Sequence, residues 1–300
     1  MLKVTLLGCG GVMPTKDRFL TALYIQYQGH TILIDCGEGT QMAIAKAGLS
    51  LYAIDCICLT HFHGDHILGL PGLLMSMSMN QRQDPLVITG PKGVRQVVET
   101  LCRYSMITFP LRYVEVYDWS VAWQMEQLTI TAVELEHNVP CFGYRFDLNR
   151  KPRFDKEMAE ALKIPIMYWS RLQDGEIIHD QNVTWYPEDV TGPYRKGLSL
   201  VYATDTRPTQ RLKERIKEVD LLIGEGMYED DTSMAVERCH STAMETVWMA
   251  RQADVHMLWL THYSPSYTNP QASLPRLRAV FENVQLGTNG KTMDLTFTED

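Results

Sequence analysis

The chain reads as an α/β protein, sheets covered by helices on their outer faces, and three features of the sequence lead there. Apolar runs of strand length alternate with segments of helical periodicity. Several of those runs end on a residue type able to bind a metal, and no segment repeats with the period of a solenoid. Composition agrees, since 45% hydrophobic and 21% charged residues describe an ordinary globular protein. A chain of 300 residues could hold two domains, but α/β folds of this size are often one globule, so a single domain over 1–300 is expected.

The elements follow in order. Met1-Leu-Lys-Val-Thr-Leu-Leu-Gly8 has too short an apolar stretch and no small-residue cleavage site for a signal peptide, so it reads as a first strand over 4–8. Further apolar runs predict strands near 21–27 and 30–36, a helix near 39–48, a strand over 53–60 and an apolar helical stretch near 65–80. A strand at 86–90 precedes a helix at 92–105, where Val94, Val97, Val98 and Leu101 recur at helical spacing. Extended runs at 113–118, 121–136 and 141–148 complete the first half. Beyond them, 199–204, 220–223 and 255–260 read as buried strands, with helices near 209–219, 241–253 and 271–282.

Charge and cysteine usage exclude some roles. The net charge of −8 argues against a surface that binds nucleic acid everywhere, because phosphate affinity comes from clustered Lys and Arg; a polyanion must be met locally. No apolar run approaches the ~20 residues that span a bilayer, and a cytoplasmic protein is expected. The seven cysteines, at 9, 36, 56, 58, 102, 141 and 239, are odd in number and form no CxxC pair, so they read as reduced, small hydrophobes.

The chemistry concentrates in Leu59-Thr-His61-Phe62-His63-Gly64-Asp65-His66, directly after the apolar run 53–60. On a strand ending at Thr60, His61 and His63 point to one side, and Asp65 and His66 sit on the turn into a helix. Imidazoles and a carboxylate so clustered indicate a metal site. Three later strands end in the same way, on His137, Asp205 and His262. A lone strand-end His or Asp is usually a turn or cap residue. Together with the first cluster, these three make two metals more plausible than one.

The His-x-His-x-Asp-His signature with a later His, Asp and His resembles the metallo-β-lactamase superfamily, which implies a four-layer αββα sandwich of two mixed β-sheets flanked by helices. The blocks Leu6–Thr15, Asp35-Cys-Gly-Glu-Gly-Thr-Gln41, Phe142-Gly-Tyr-Arg145, Ala203-Thr-Asp-Thr-Arg-Pro208 and Thr261-His-Tyr-Ser-Pro265 resemble the ribonuclease Z branch, the tRNA 3′-processing endonucleases. The blocks run in that family's order over nearly the whole chain.

The resemblance implies that His61, His63 and His137 bind one metal, that Asp65, His66 and His262 bind a second, and that Asp205 bridges both. Two zinc ions suit these ligands, with manganese as the alternative, and such a pair can clamp the attacking and leaving oxygens of a phosphodiester while activating water. Asp65 is then a catalytic candidate that orients or deprotonates the nucleophile. His240, in Cys239-His-Ser-Thr-Ala243, matches the histidine that the family places near the leaving group and is the candidate general acid. Without the family, a histidine beside a helix start capped by Ser241 or Thr242 is the plainer reading. Asp35 is expected to brace the histidines by hydrogen bonds rather than to catalyse.

Gly8-Cys-Gly10-Gly11 lacks the GxGxxG spacing of a dinucleotide site and reads as a tight turn. Lys16 and Arg18 resemble the family's loop near the acceptor end of tRNA, although Phe19 stands where the family usually has asparagine. An inserted arm is expected at about 150–196, containing a short helix over 154–163. In relatives such an arm grips the tRNA elbow, yet residues 145–197 hold nine Lys or Arg against nine Asp or Glu, so no basic stripe is present.

The expected function is thus a dinuclear zinc-dependent hydrolase, an endoribonuclease cutting precursor tRNA on the 3′ side of the acceptor stem and leaving a 3′-hydroxyl, in a homodimer. Three alternatives stay open. These are a phosphodiesterase acting on a smaller ester such as a cyclic nucleotide or aryl ester, 3′-exonuclease trimming of RNA, and an RNA-binding protein that does not cut.

Overall fold

The computed structural model of the chain describes residues 1–181 and 183–297. In chain order the first half runs β1 (Leu2–Gly8), β2 (Ala22–Tyr27), β3 (His30–Ile34), α1 (Thr40–Lys46), β4 (Ile54–Cys58), α2 (Gly64–Ile67), α3 (Leu70–Met79), β5 (Leu86–Gly90), α4 (Val94–Leu101), β6 (Leu111–Glu115), β7 (Val121–Met125), β8 (Leu128–Leu135) and β9 (Cys141–Arg150). The second half runs α5 (Lys156–Ala161), α6 (Trp169–Gln173), β10 (Ile178–Asp180), β11 (Val183–Trp185), β12 (Arg195–Ala203), α7 (Gln210–Arg215), β13 (Leu221–Glu225), α8 (Thr232–Arg238), α9 (Ala243–Gln252), β14 (Leu258–Thr261), α10 (Pro270–Val280), β15 (Val284–Leu286) and β16 (Lys291–Leu295).

Among the described residues two mixed sheets form. One has the order β16-β1-β2-β3-β4-β5-β6, antiparallel from β16 to β3 and parallel from β3 to β6. The other has the order β15-β14-β13-β12-β9-β8-β7, parallel from β12 to β15. Strands buried on both faces should read as continuous apolar runs, and β13 and β14 are buried at every position. On the outer face of the first sheet, Tyr24, Leu33, Ile57 and Ile88 share one core with Ile44 of α1, Leu73 and Met77 of α3, and Val98 of α4. Each such side chain contributes roughly 1.5–3 kcal/mol by leaving water. The inner face meets the second sheet, where the Tyr144 hydroxyl donates to the Leu59 carbonyl at 2.7 Å. Helices α7, α9 and α10 cover the second sheet's outer face, with Thr246 of α9 against Gly224 of β13. The expected four-layer sandwich is the observed architecture.

Three differences from the sequence expectation have local causes. The apolar stretch near 65–80 is two helices, because the Gly69 amide leaves the helical ladder to donate to the Cys36 carbonyl at 2.8 Å. Only glycine fits there, since a Cβ would stand 2.1 Å from the Gly37 carbonyl oxygen. The run 121–136 is a hairpin, β7 and β8, turning at Glu126 with φ 40°. The strand expected from Ser199 begins earlier, at Arg195.

The chain divides into two compact units, residues 1–147 with those from 199 on, and residues 148–198. The second unit has its own small core of Ala159, Ile164, Leu172, Ile178 and Val190. Its helix α5 begins as predicted for that stretch, with the Asp155 carboxylate accepting from the Met158 amide at 2.9 Å. The hairpin β10–β11 in the same unit, and α8, β15 and β16 in the first, were not anticipated.

Candidate metal centre

Parallel strands send their C-terminal ends to one edge, and both sheets use that edge. From the first sheet, β3 delivers Asp35 and β4 delivers the loop 59–63 and then α2. From the second, β12, β13 and β14 deliver Asp205, Glu225 and His262. The edges are tied together where the Phe142 amide donates to the Thr60 carbonyl at 3.0 Å and the Tyr263 amide to the Cys9 carbonyl at 2.9 Å. Asp35, Asp205 and His262 leave their strands with φ of 59°, 58° and 57°, the left-handed region that L-residues seldom adopt.

All seven residues predicted as ligands converge. His61 Nε2 lies 2.9 Å from His63 Nδ1, which lies 3.3 Å from His137 Nε2. His66 Nε2 and His262 Nε2 are 3.3 Å apart, and each is 3.5 Å from Asp65 Oδ2. Asp205 stands between the two groups, its Oδ2 at 3.3 and 3.5 Å from His66 and His262 and its Oδ1 at 3.9 Å from His61 Nε2.

The hydrogen bonds around this cluster fix its tautomers. The Thr60 hydroxyl spends its one proton on Asp35, at 3.0 Å, so at 2.9 Å it accepts from His61 Nδ1. His66 Nδ1 donates to Asp35 Oδ2 at 2.8 Å, and His137 Nδ1 to the Cys239 carbonyl at 3.0 Å. In His61 and His137 this leaves the Nε2 lone pair facing inward, the form in which imidazole ligates a metal, and in His66 it leaves Nε2 as the atom that a metal would take from a proton. Asp35 therefore braces, as expected. Gly11 makes room: a Cβ there would lie 2.9 Å from the His262 ring.

Ring nitrogens converging on one another at hydrogen-bond distance, and a buried Asp205 Oδ2 without a hydrogen-bond partner, are what a site built for cations presents. Electrostatics agree. Burial holds His61 and His137 below the usual imidazole range, keeping them neutral and able to ligate. Burial opposes charge on His262 too, but the Asp205, Asp65 and Glu225 carboxylates outweigh it and push its value up to about 10. His66 is raised likewise against its burial, by Asp205 and Asp35. Protons thus collect where positive charge is wanted, and divalent ions answer the same demand.

His240 joins the cluster, and Glu225, which sequence reasoning missed, holds it. Glu225 is 1% exposed and accepts from the Thr206 and Ser241 amides, each at 2.8 Å, and from His240 Nδ1 at 2.9 Å. The available signal was an acidic residue closing an apolar strand, the pattern that found Asp205. His240 also precedes a capped helix: Thr242 and Glu245 form a reciprocal capping box at the start of α9, and Glu245 pairs with Arg207.

Sequence relatives agree with this geometry over the full length of the chain. The chain is 43% identical over 303 residues to ribonuclease Z of Lachnoclostridium phytofermentans, and 41% identical over 303 residues to that of Agathobacter rectalis, covering 100% of both chains in each pair. The chain belongs to the ribonuclease Z family. As a member of it, in this fold, the chain is a hydrolase. Residues 2–196 also match the family model described as Anti-Pycsar protein Apyc1, and the chain belongs to that grouping as well. Among solved structures, the fold is similar to human tRNase Z, short form, with TM-score 0.69, 24% identity, and coverage of 98% of this chain and 100% of that one. It is likewise similar to the metallo-β-lactamase fold protein YhfI from Bacillus subtilis, with TM-score 0.70, 18% identity, and coverage of 97% and 98%.

Proposed function

We propose that this ribonuclease Z family member is a dinuclear metal-dependent endoribonuclease that cuts precursor tRNA on the 3′ side of the acceptor stem and leaves a 3′-hydroxyl. The observation that carries the reading is the meeting of His61, His63, His137, Asp65, His66, His262 and Asp205 at one sheet edge, in a chain 43% identical to a ribonuclease Z from end to end. The first three residues would hold one ion and the next three a second, with Asp205 between them. Zinc suits this set of imidazoles and carboxylates, and manganese is the alternative. Such a pair supplies Lewis acidity toward the phosphate and an acidified water.

The chain's own residues do the rest. Asp65 is aimed by the Val12 amide, which donates to its Oδ2 at 2.8 Å, and it orients the attacking water. His240 Nδ1 donates to Glu225, which holds the ring with Nε2 free to face the departing 3′-oxygen as the general acid. Proton delivery of this kind contributes roughly 10²–10⁴-fold. Residues 148–198 are read as an inserted arm on a single catalytic domain, and the working form as a cytoplasmic homodimer. Among the described residues no helix is long and apolar enough to cross a membrane.

The even charge of the arm favours one competing reading, a smaller phosphodiester as substrate. Incubating metal-loaded protein with a precursor tRNA and with bis(p-nitrophenyl) phosphate separates the two. Endonucleolytic cleavage next to the acceptor stem supports the proposal, and turnover of the ester alone overturns it.

A further inference from the structure

Beside the metal centre lies a cavity of about 370 Å³ to which no role has been given, of a size that suits a small ligand group. It is walled by the loop that follows β13, the loop that follows β14, α8 and the start of α10. Tyr228 connects it to the centre, with its ring 6.3 Å from the His240 ring, edge to face.

The polar groups inside are unusually free. Tyr267 is 5% exposed, and its buried hydroxyl makes no hydrogen bond among the described residues. Asn269 occupies the N-cap of α10, an eleven-residue helix, yet its side chain caps nothing. The carboxylates, by contrast, are engaged. Asp230 pairs with Arg276, Asp231 caps α8 through the Met234 amide, and Glu229 accepts from the Ser273 hydroxyl. They still leave an acidic rim that repels phosphate and accepts hydrogen bonds from amines. An aromatic wall, a free amide, a free hydroxyl and carboxylate acceptors are the chemistry that holds a nucleobase.

We propose that this cavity is the subsite for the base of the nucleotide immediately 5′ of the scissile phosphate. The inference rests on the proposed endonuclease reading. The nucleotide concerned is the one whose 3′-oxygen departs, so its ribose sits at His240 and its base falls on the Tyr228 side. Tyr228 stacks on the base, and the rim prefers bases with an exocyclic amine, so that cytosine is favoured over uracil. The Thr15–Arg18 loop supports the outer wall, with the Arg18 guanidinium donating to the Tyr267 carbonyl at 2.8 Å.

The test uses the metal-loaded full chain and precursor tRNAs that differ only at that nucleotide: cytosine, uracil or an abasic residue. The expected kcat/KM falls at least about fivefold from cytosine to uracil, the scale of one lost base-edge contact, and further for the abasic substrate. Met234→Trp, which fills the cavity from α8, should level these differences and lower tRNA cleavage while bis(p-nitrophenyl) phosphate is hydrolysed at the wild-type rate. Equal rates on all three substrates with the wild type overturn the subsite and leave the endonuclease reading standing. Failure of the wild type to cut any precursor tRNA overturns both.

Discussion

Glu225 Oε2 accepts from His240 Nδ1 at 2.9 Å, with both side chains withdrawn from solvent at the mouth of a cluster of imidazoles. Under the proposed mechanism Glu225 is a positioning residue, acting on substrate through His240. Glu225→Gln keeps the shape, but its one acceptor oxygen is claimed by the Thr206 and Ser241 amides, so an NH2 group faces His240 Nδ1 and the ring loses its hold. The expected result is a fall in kcat of roughly 10²-fold or less with little change in KM, restored in part by Glu225→Asp. Steady-state kinetics of both variants check this; a change confined to KM would show that Glu225 does not act through His240.

Removal of the ions should abolish cleavage of tRNA and of a small phosphodiester together. On the proposed reading the folded centre binds cations that the unfolded chain cannot, so adding zinc or manganese to chelated protein should also raise its melting temperature. Differential scanning calorimetry of the chelated protein across a metal series measures it. Activity that survives thorough chelation and dialysis would remove the basis of the mechanism.

Asp65→Ala separates cutting from holding. Cleavage should be lost, while a gel-shift assay still shows the precursor bound. Retained cleavage would show that neither the second ion nor the attacking water needs this carboxylate.

Gly11→Ala places a methyl 2.9 Å from the His262 ring and must push one of them aside. Metal affinity should fall about 10–100-fold, the usual cost of disturbing the support of a ligand, with an unchanged circular dichroism spectrum. Metal titration by isothermal calorimetry reads this directly.

Arg207 and Glu245 tie the loop after β12 to the start of α9. Burial works against the charged Glu245 carboxyl, but the Arg207 guanidinium and the Thr242 amide outweigh it and hold it below the usual carboxylate range. A depressed folded value gives stability that is present above the unfolded value of about 4.3 and is lost as pH falls through the folded one. Glu245→Gln should therefore be less stable than wild type at pH 6, with the gap closing on acidification. Urea unfolding midpoints at pH 6 and at low pH test the sign.

The convergence of the candidate ligands was legible in the sequence because parallel strands bring their ends to one edge, and strand ends can be read from where apolar runs stop. His61, His63, Asp65 and His66 also signalled each other by proximity in the chain. Glu225 carried the same mark as Asp205 but stood alone, and only the parallel pairing of β12, β13 and β14 brings it beside His240 and His262. The missed strands β15 and β16 are short and lie at sheet edges, where one partner supplies the register and the sequence signal is weak. The break at Gly69 depends on the Gly37 carbonyl, a neighbour that no local pattern reveals.

Asp35, Asp205 and His262 all turn off their strands in a backbone conformation suited to glycine, a strain of about 1–3 kcal/mol at each. Three strained corners of these sheets thus carry side chains that the proposed chemistry requires. Glycine at any of them would relax the backbone and empty the pocket of a bracing, bridging or ligating group. Selection of variants for heat resistance alone would wear away these corners first, and a hardier, inert protein would be its product.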